Sequence, residues 1–439
     1  MNAKHKLTKM TAFGLAAMML ITGCSVSAEE NTSSTGAPSA GSSAQTTGAE
    51  DTQTITPASE ITFWSTKEDC FQDLCEQFKQ ETGITVNATY MGGYDDMVNK
   101  VMAGIAGGRL PDVAQLGQRH GLAQMYDSGA LLPIEDYISK DIIDDIFPGF
   151  WKRFTYKHKK VILPFQNSMP VLYYNKDVMD ANQIAIPTTF EEVMSAAKEI
   201  KEKTGIYGFT LNSDYPWYVL ALIYNSGVKP VEDGVAAMDS PEIEAIFKDF
   251  QQMAAVDKSM PANQHATGQE DFCNGKVVMF MSSCASYAKI QKLADGKFEV
   301  GVAQFPSVTA MDIPMGGNGL GMFASSPEKQ KAAAMFIEFM LDKERVATNT
   351  LKSGYIPVTN AAIATGTYQE YLTDPNREIV HNQLKYLGGA AVHPTDSLVW
   401  SEISSLLDSV EANSNADISA ELKKINDKIT KYMEQYAGK

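Results

Sequence analysis

The residue types that do covalent chemistry are present in this chain, but not at spacings that would put them to work. There is no G-x-S-x-G, G-x-x-x-x-G-K-[ST] or H-E-x-x-H. The histidines of the body, His120, His158, His265, His381 and His393, are scattered, and no Cys or His spacing resembles a zinc site. Acid pairs such as Asp95-Asp96 and Asp144-Asp145 fit solvated helix faces in a chain with 53 acidic residues. What residue type does offer is non-covalent. Trp64, Trp217, Tyr355 and Trp400 could supply flat faces, and Gln118, Asn167, Ser168, Ser282 and Asn318 could supply hydrogen bonds. Faces set beside amides and hydroxyls suit the C–H faces and hydroxyl edges of a sugar. Gly316-Gly317 lets backbone approach a ligand closely. Plainer readings stand beside these: Trp64 and Trp400 as core, Asn167 and Ser168 as hinge, the serines as helix caps, and the glycine pair as a turn. Trp217 follows Pro216 in an expected loop, which favours exposure.

The elements that must position these residues alternate strand and helix. Ile61-Thr-Phe-Trp64 reads as a first strand. Phe71, Leu74, Cys75 and Phe78 recur at helical spacing up to Gly83. Ile84, Val86, Ala88 and Tyr90 alternate as a strand. Met97 to Ile105 marks a helix stopped by Gly107-Gly108, and Asp112 to Leu116 is the next strand. This βαβαβ opening favours a parallel α/β sheet. Further on, Val171–Tyr174 and Val277–Met281 read as strands. Helices open at Thr188-Thr189 with a capping box, at Ser240-Pro241 and at Ser326-Pro327, and the stretch from Ser397 to Tyr436 is helical.

At the amino end, Lys4, Lys6 and Lys9 precede an apolar run, Met10 to Ile21, far shorter than the ~20 residues that span a bilayer. Ile21-Thr22-Gly23-Cys24 resembles a bacterial lipobox, which implies a signal peptide over 1–23 and lipidation of Cys24. Residues 24–59 then form a lipidated cysteine and a disordered tether: Ser25–Ser59 holds no Lys, Arg or aromatic residue and cannot offset its ordering entropy. Its reach is roughly 30–35 Å. The remaining 380 residues are too many for one core and suggest two lobes. Loss of the leader's three lysines takes the formal charge from −16 to −19, and with no basic cluster nucleic acid is not an expected partner. Cys70, Cys75, Cys273 and Cys284 fit disulfides permitted by export or, equally well, four small buried hydrophobes.

Several longer segments resemble the family 1 extracellular solute-binding proteins, substrate receptors of ABC importers. They are Ala106–Gln115, Gly129–Tyr137, Val161–Asp177, Asp271–Phe280, Met315–Gly319 and Ser353–Val358, all in the family's order. The resemblance implies a two-lobed α/β periplasmic-binding-protein-like (type II) fold. Lobe 1 would be 60–168 plus 307–348 and lobe 2 would be 169–306 plus 349–439, with a ligand cleft between them. It implies a cleft built from Trp64, Tyr94, Gln118, Ser168, Trp217, Ser282, Ser283, Ser286, Gly316, Gly317 and Tyr355, to which residue type adds Asn167 and Asn318. It further implies a lipid-anchored, monomeric receptor that passes a small solute to ABC permease subunits, with no catalysis, cofactor or metal. The glycerol-3-phosphate-binding branch is the most similar. Yet Gln118 stands at the position aligned with that branch's acidic cleft residue, and Asp396–Glu402 lacks the Arg that would grip a phosphate. A neutral carbohydrate is therefore the expected solute. A glycerophosphate receptor, an extracytoplasmic glycosidase and a surface adhesin or sensor partner remain as alternatives.

Overall fold

Nine strands form two sheets, and the chain passes from one sheet to the other across a single residue, Met169. The computed structural model describes residues 55–117 and 121–438. In chain order the strands are β1 (Glu60–Ser65), β2 (Thr85–Tyr90), β3 (Val113–Gly117), β4 (Leu163–Ser168), β5 (Pro170–Asn175), β6 (Tyr207–Leu211), β7 (Val277–Ser283), β8 (Val300–Ala303) and β9 (Gly316–Met322). The first sheet runs β2-β1-β3-β9-β4 and the second β8-β5-β7-β6. The expected βαβαβ start is there, with β2, β1 and β3 parallel. Neither sheet is wholly parallel, however. β9 returns antiparallel between β3 and β4, and β5 is antiparallel to both β7 and β8. Strand-by-strand patterns could not reveal this, because β9 arrives from far along the chain.

Local chemistry accounts for most elements. β1 buries Ile61, Phe63 and Ser65 on one face, whereas β4 and β5 are buried at every position, as strands covered on both sides must be. The principal helices are α1 (Gln72–Thr82), α2 (Tyr94–Gly107), α3 (Phe190–Thr204), α4 (Tyr215–Asn225), α5 (Pro241–Gln251), α6 (Pro327–Met340), α7 (Lys343–Ser353), α8 (Asp396–Ala412) and α9 (Ile418–Ala437). Gly83 and Gly108 end α1 and α2 in left-handed conformations. Thr189 and Glu192 make the predicted capping box of α3, and Ser240 and Ser326 cap α5 and α6, each followed by Pro at the first helical position.

Helix α6 packs on β1 and β9. The carboxyl-terminal helices belong to the other sheet's surroundings: α8 packs on α4 and α5, and α9 packs on α5 and α8. Residues 356–360 instead bond to the first sheet and its helices, through Ile356 N to Asn167 O at 2.8 Å and Asn360 Nδ2 to Asp145 O at 2.8 Å. All four described cysteines are free and buried, so they serve as small apolar side chains. Among the described residues no helix is long and apolar enough to cross a membrane. Cys24 and the tether as far as residue 54 lie outside the described residues; in its last stretch, 55–59, Ala58 N donates to Glu328 O and Ser59 O accepts from Thr85 N, each at 2.9 Å, which ties that stretch to α6 and β2.

Candidate functional site

Strand ends from both sheets converge on one cavity of about 290 Å³. Its lining includes Tyr94, Ser168, Trp217, Ser283, Ser286, Gly316, Gly317 and Tyr355 from the expected set, together with Asn212, Asp214, Tyr218 and Ser353. Tyr94 opens α2 just after the Gly92-Gly93 turn, Ser168 ends β4, and Ser283 ends β7. Tyr355 follows Gly354, whose left-handed conformation closes α7.

Three expected residues stand one layer behind this wall. Asn318 donates from Nδ2 to the Tyr94 hydroxyl at 2.9 Å, and its Oδ1 accepts from Gln115 Nε2 at 3.0 Å. The Tyr94 and Tyr355 hydroxyls lie 3.5 Å apart, so a buried amide chain reaches the cavity surface through two phenols. Asn167, fully buried, donates to the carbonyls of Gly316 and Asn318 at 3.1 and 3.2 Å and so clamps β9 to β4. Ser282 is buried inside β7, which runs to Ser283 rather than stopping at Met281, and its Oγ accepts from Asn212 Nδ2 at 2.8 Å. These three residues orient groups that line the cavity and do not line it themselves.

Two expectations need correction. Trp217 is not an exposed loop residue: it sits in the first turn of α4 and is 6% exposed. Pro216 marks a helix start here, because proline fits the first turn, where its missing N–H costs no bond. The ring still forms part of the cavity wall, edge-on to Gly316. Trp64 does not line this cavity. It lies half-buried on the face of β1 opposite Ile61 and Phe63. Gln118 lies outside the described residues. Trp400 is partly buried and faces a second, smaller cavity that it shares with Trp217.

Asn212, Asp214, Tyr218 and Ser353 went unselected in the sequence. A positional signal existed for the first two, since they immediately follow the carboxyl end of β6, where open α/β sheets bind ligands. Tyr218 is one residue beyond Trp217 in the same helical turn. Ser353 carries no comparable signal.

The cavity wall offers the aromatic rings of Tyr94, Trp217, Tyr218 and Tyr355, serine hydroxyls, one amide and one carboxylate, Asp214. No cationic side chain is found among its described lining residues. Burial, followed by the neighbouring Tyr94, holds the Tyr355 phenol well above its ordinary range, and burial does the same to Tyr173 on β5, beside β7. Their folded-state values are raised, so the folded chain retains protons that the unfolded chain loses above about pH 10. Their contribution is complete below that pH and is lost as the pH rises beyond it. The urea midpoint is therefore expected to fall between pH 9 and 11, and Tyr355→Phe is expected to fall less. A drop of equal size in the variant would remove Tyr355 from that account.

Two sheets with covering helices, joined at Met169 and meeting at a polar, aromatic cavity, define a two-lobed periplasmic-binding-protein-like receptor. The chain belongs to the bacterial extracellular solute-binding protein family, whose model matches residues 73–376. It is thus a solute-binding protein of the kind that serves ABC importers, a family of transport receptors rather than of enzymes. It is 26% identical over 360 residues to the maltotriose-binding protein of Pyrococcus abyssi, covering 77% of this chain and 74% of that one. It is also 26% identical over 333 residues to the sn-glycerol-3-phosphate-binding periplasmic protein of Escherichia coli K12, covering 69% and 75%. Among solved structures, the Mycobacterium tuberculosis UgpB complex with glycerophosphocholine superposes with a TM-score of 0.75 at 20% identity, covering 87% of this chain and all of that one. The Listeria monocytogenes ABC substrate-binding protein with cycloalternan gives 0.72 at 22%, covering 85% and 99%.

Proposed function

We propose that this protein captures a neutral carbohydrate between its lobes and delivers it to a membrane permease. The cavity wall carries the reading: four aromatic rings beside hydroxyls and an amide, with Asp214 as the one charged group among its described residues. A phosphate would lack its charge-assisted partners in such a wall, and the formal charge of −16 opposes the approach of an anion. The maltotriose-binding relative agrees with a sugar; the glycerol-3-phosphate-binding relative is the competing case. A cavity of 290 Å³ lies at the small end of the ~300–1,000 Å³ usual for small-molecule sites, which favours a short saccharide.

In this reading lobe 1 is 60–168 plus 307–348 and lobe 2 is 169–306 plus 349–439, hinged near Met169, except that residues 356–360 bond to the first sheet and its helices. The receptor acts as a monomer, held on the extracytoplasmic face of the membrane by a lipid on Cys24. It makes and breaks no bond: a glycosidase needs two carboxylates ~5–10 Å apart across its cleft, and the described lining residues include one carboxylate, Asp214. Ligand shifts the lobes only by its differential affinity for their open and closed arrangements.

Thermal unfolding against neutral mono-, di- and trisaccharides, sn-glycerol-3-phosphate and glycerophosphocholine tests the solute. A true ligand at ~1,000 times its Kd stabilises by about 4 kcal/mol. Stabilisation by a sugar supports the reading; stabilisation by the glycerophosphates alone overturns it. Metabolic labelling with a fatty acid, lost in Cys24→Ser, is the expected sign of the anchor.

A further inference from the structure

Beside the cleft, side chains of the two bodies bond directly to each other at two points. Arg153 lies on a short turn, Lys152–Phe154, whose Phe154 is buried in the core. Its guanidinium is buried and reaches the start of α8, donating to Asp396 Oδ2 at 3.0 Å and to the carbonyls of Ala390 and Ala391 at 3.3 Å each. Asp396 Oδ2 also accepts from His393 N at 3.1 Å. Nearby, Gln124 Nε2 donates to Pro394 O at 3.2 Å. The second point is Asp127, at the end of the helix Leu122–Asp127. It accepts from Tyr156 at 2.9 Å and Lys157 at 2.5 Å within its own body, and from Tyr436 in the last turn of α9 at 2.7 Å.

Arg153, Asp127, Tyr156 and Lys157 ride with the first sheet, whereas Asp396 and Tyr436 sit on helices packed over the second. The Arg153–Asp396 pair lines the small cavity that also holds Trp400 and the inner side of Trp217, so one side chain separates it from the ligand cavity. Of the three hydroxyl and ammonium partners of Asp127, Tyr436 alone is carried by the other body.

We propose that Arg153–Asp396 and Asp127–Tyr436 form a two-point latch that favours the arrangement of the two bodies in which both bonds are made, whether or not solute is present. A bond made in one arrangement and absent from the other weights that arrangement by its own free energy. The latch thus sets the resting ratio of latched to unlatched arrangement, and with it the apparent affinity for every solute by one common factor. This inference rests on the two-lobed opening and closing described above.

The test is small-angle X-ray scattering of the full ligand-free chain. It compares wild type with Tyr436→Phe, which removes one hydroxyl from a partly buried ring, and with the double variant Tyr436→Phe/Asp396→Asn. Each lost bond is expected to lower the ratio of latched to unlatched arrangement about threefold to tenfold, as charge-assisted bonds of moderate strength do. The scattering curve should depart stepwise from that of wild type, further for the double variant than for the single one. Identical curves for all three proteins, with circular dichroism showing them folded, overturn the latch. The solute panel is read separately, so a failed latch leaves the carbohydrate reading standing, and a failed carbohydrate reading leaves the scattering result interpretable.

Discussion

Replacing Gly317 by alanine is expected to lower the unfolding free energy by about 2–5 kcal/mol. Gly317 has a φ of +91°, and a Cβ built there would lie 2.0 Å from the carbonyl oxygen of Gln166 and 3.1 Å from the Cα of Asn167. Both obstacles are backbone of β4, so no rotamer change can relieve them. Left-handed conformation costs an ordinary residue ~1–2 kcal/mol, and overpacking typically adds ~1–3. Gly296→Ala is the control, because its φ of +70° meets nothing within 4 Å and should cost only the conformational part. Urea unfolding of both variants decides the matter: a Gly317→Ala loss no larger than that of Gly296→Ala would show that β9 can move away from β4. Such a shift would also displace Gly316 from the cavity wall and Asn318 from its bond to the Tyr94 hydroxyl. Gly317→Ala should therefore weaken solute binding more than its stability alone explains.

How much of this was legible beforehand depends on the range of the forces involved. Caps were readable because they are local: Thr189 and Glu192 are three residues apart, and Ser240-Pro241 and Ser326-Pro327 are adjacent. The strands' buried faces were readable for the same reason. The place of β9 between β3 and β4 was not, since its partners lie some 150 to 200 residues away and its glycine-rich sequence carries only Leu320 and Met322 as large apolar side chains. The cavity residues came largely from likeness to a family, and the structure brings eight of them to one wall. Asn167, Ser282 and Asn318 moved back a layer because strand alternation, set by pairing register, decides which side chain faces the cavity. Trp217 was misplaced by treating Pro216 as a loop signal when its position after Asp214-Tyr215 suits a helix start.

Trp217→Ala should have the largest effect on binding, and its cause can be separated from its effect on stability. The indole stands between the ligand cavity and the smaller cavity of Arg153, Asp396 and Trp400. Its outer ring edge meets Gly316 so closely that a Cβ there would lie 2.5 Å from the ring. Removing a buried aromatic side chain costs ~3–5 kcal/mol. Here it also merges the two cavities and takes a flat face from the wall, so affinity for the best sugar of the panel should fall at least about 100-fold, near 3 kcal/mol. Trp217→Phe distinguishes packing from recognition. The indole N–H is buried with no hydrogen-bond partner among the described residues, so its loss removes an unsatisfied donor and offsets part of the lost ring area. That variant should stay within about 2 kcal/mol of wild type in urea and retain most of its affinity. If Trp217→Ala binds the sugar normally once its lower stability is allowed for, the ring is only a partition between cavities. Recognition would then fall to Tyr94, Tyr218 and Tyr355.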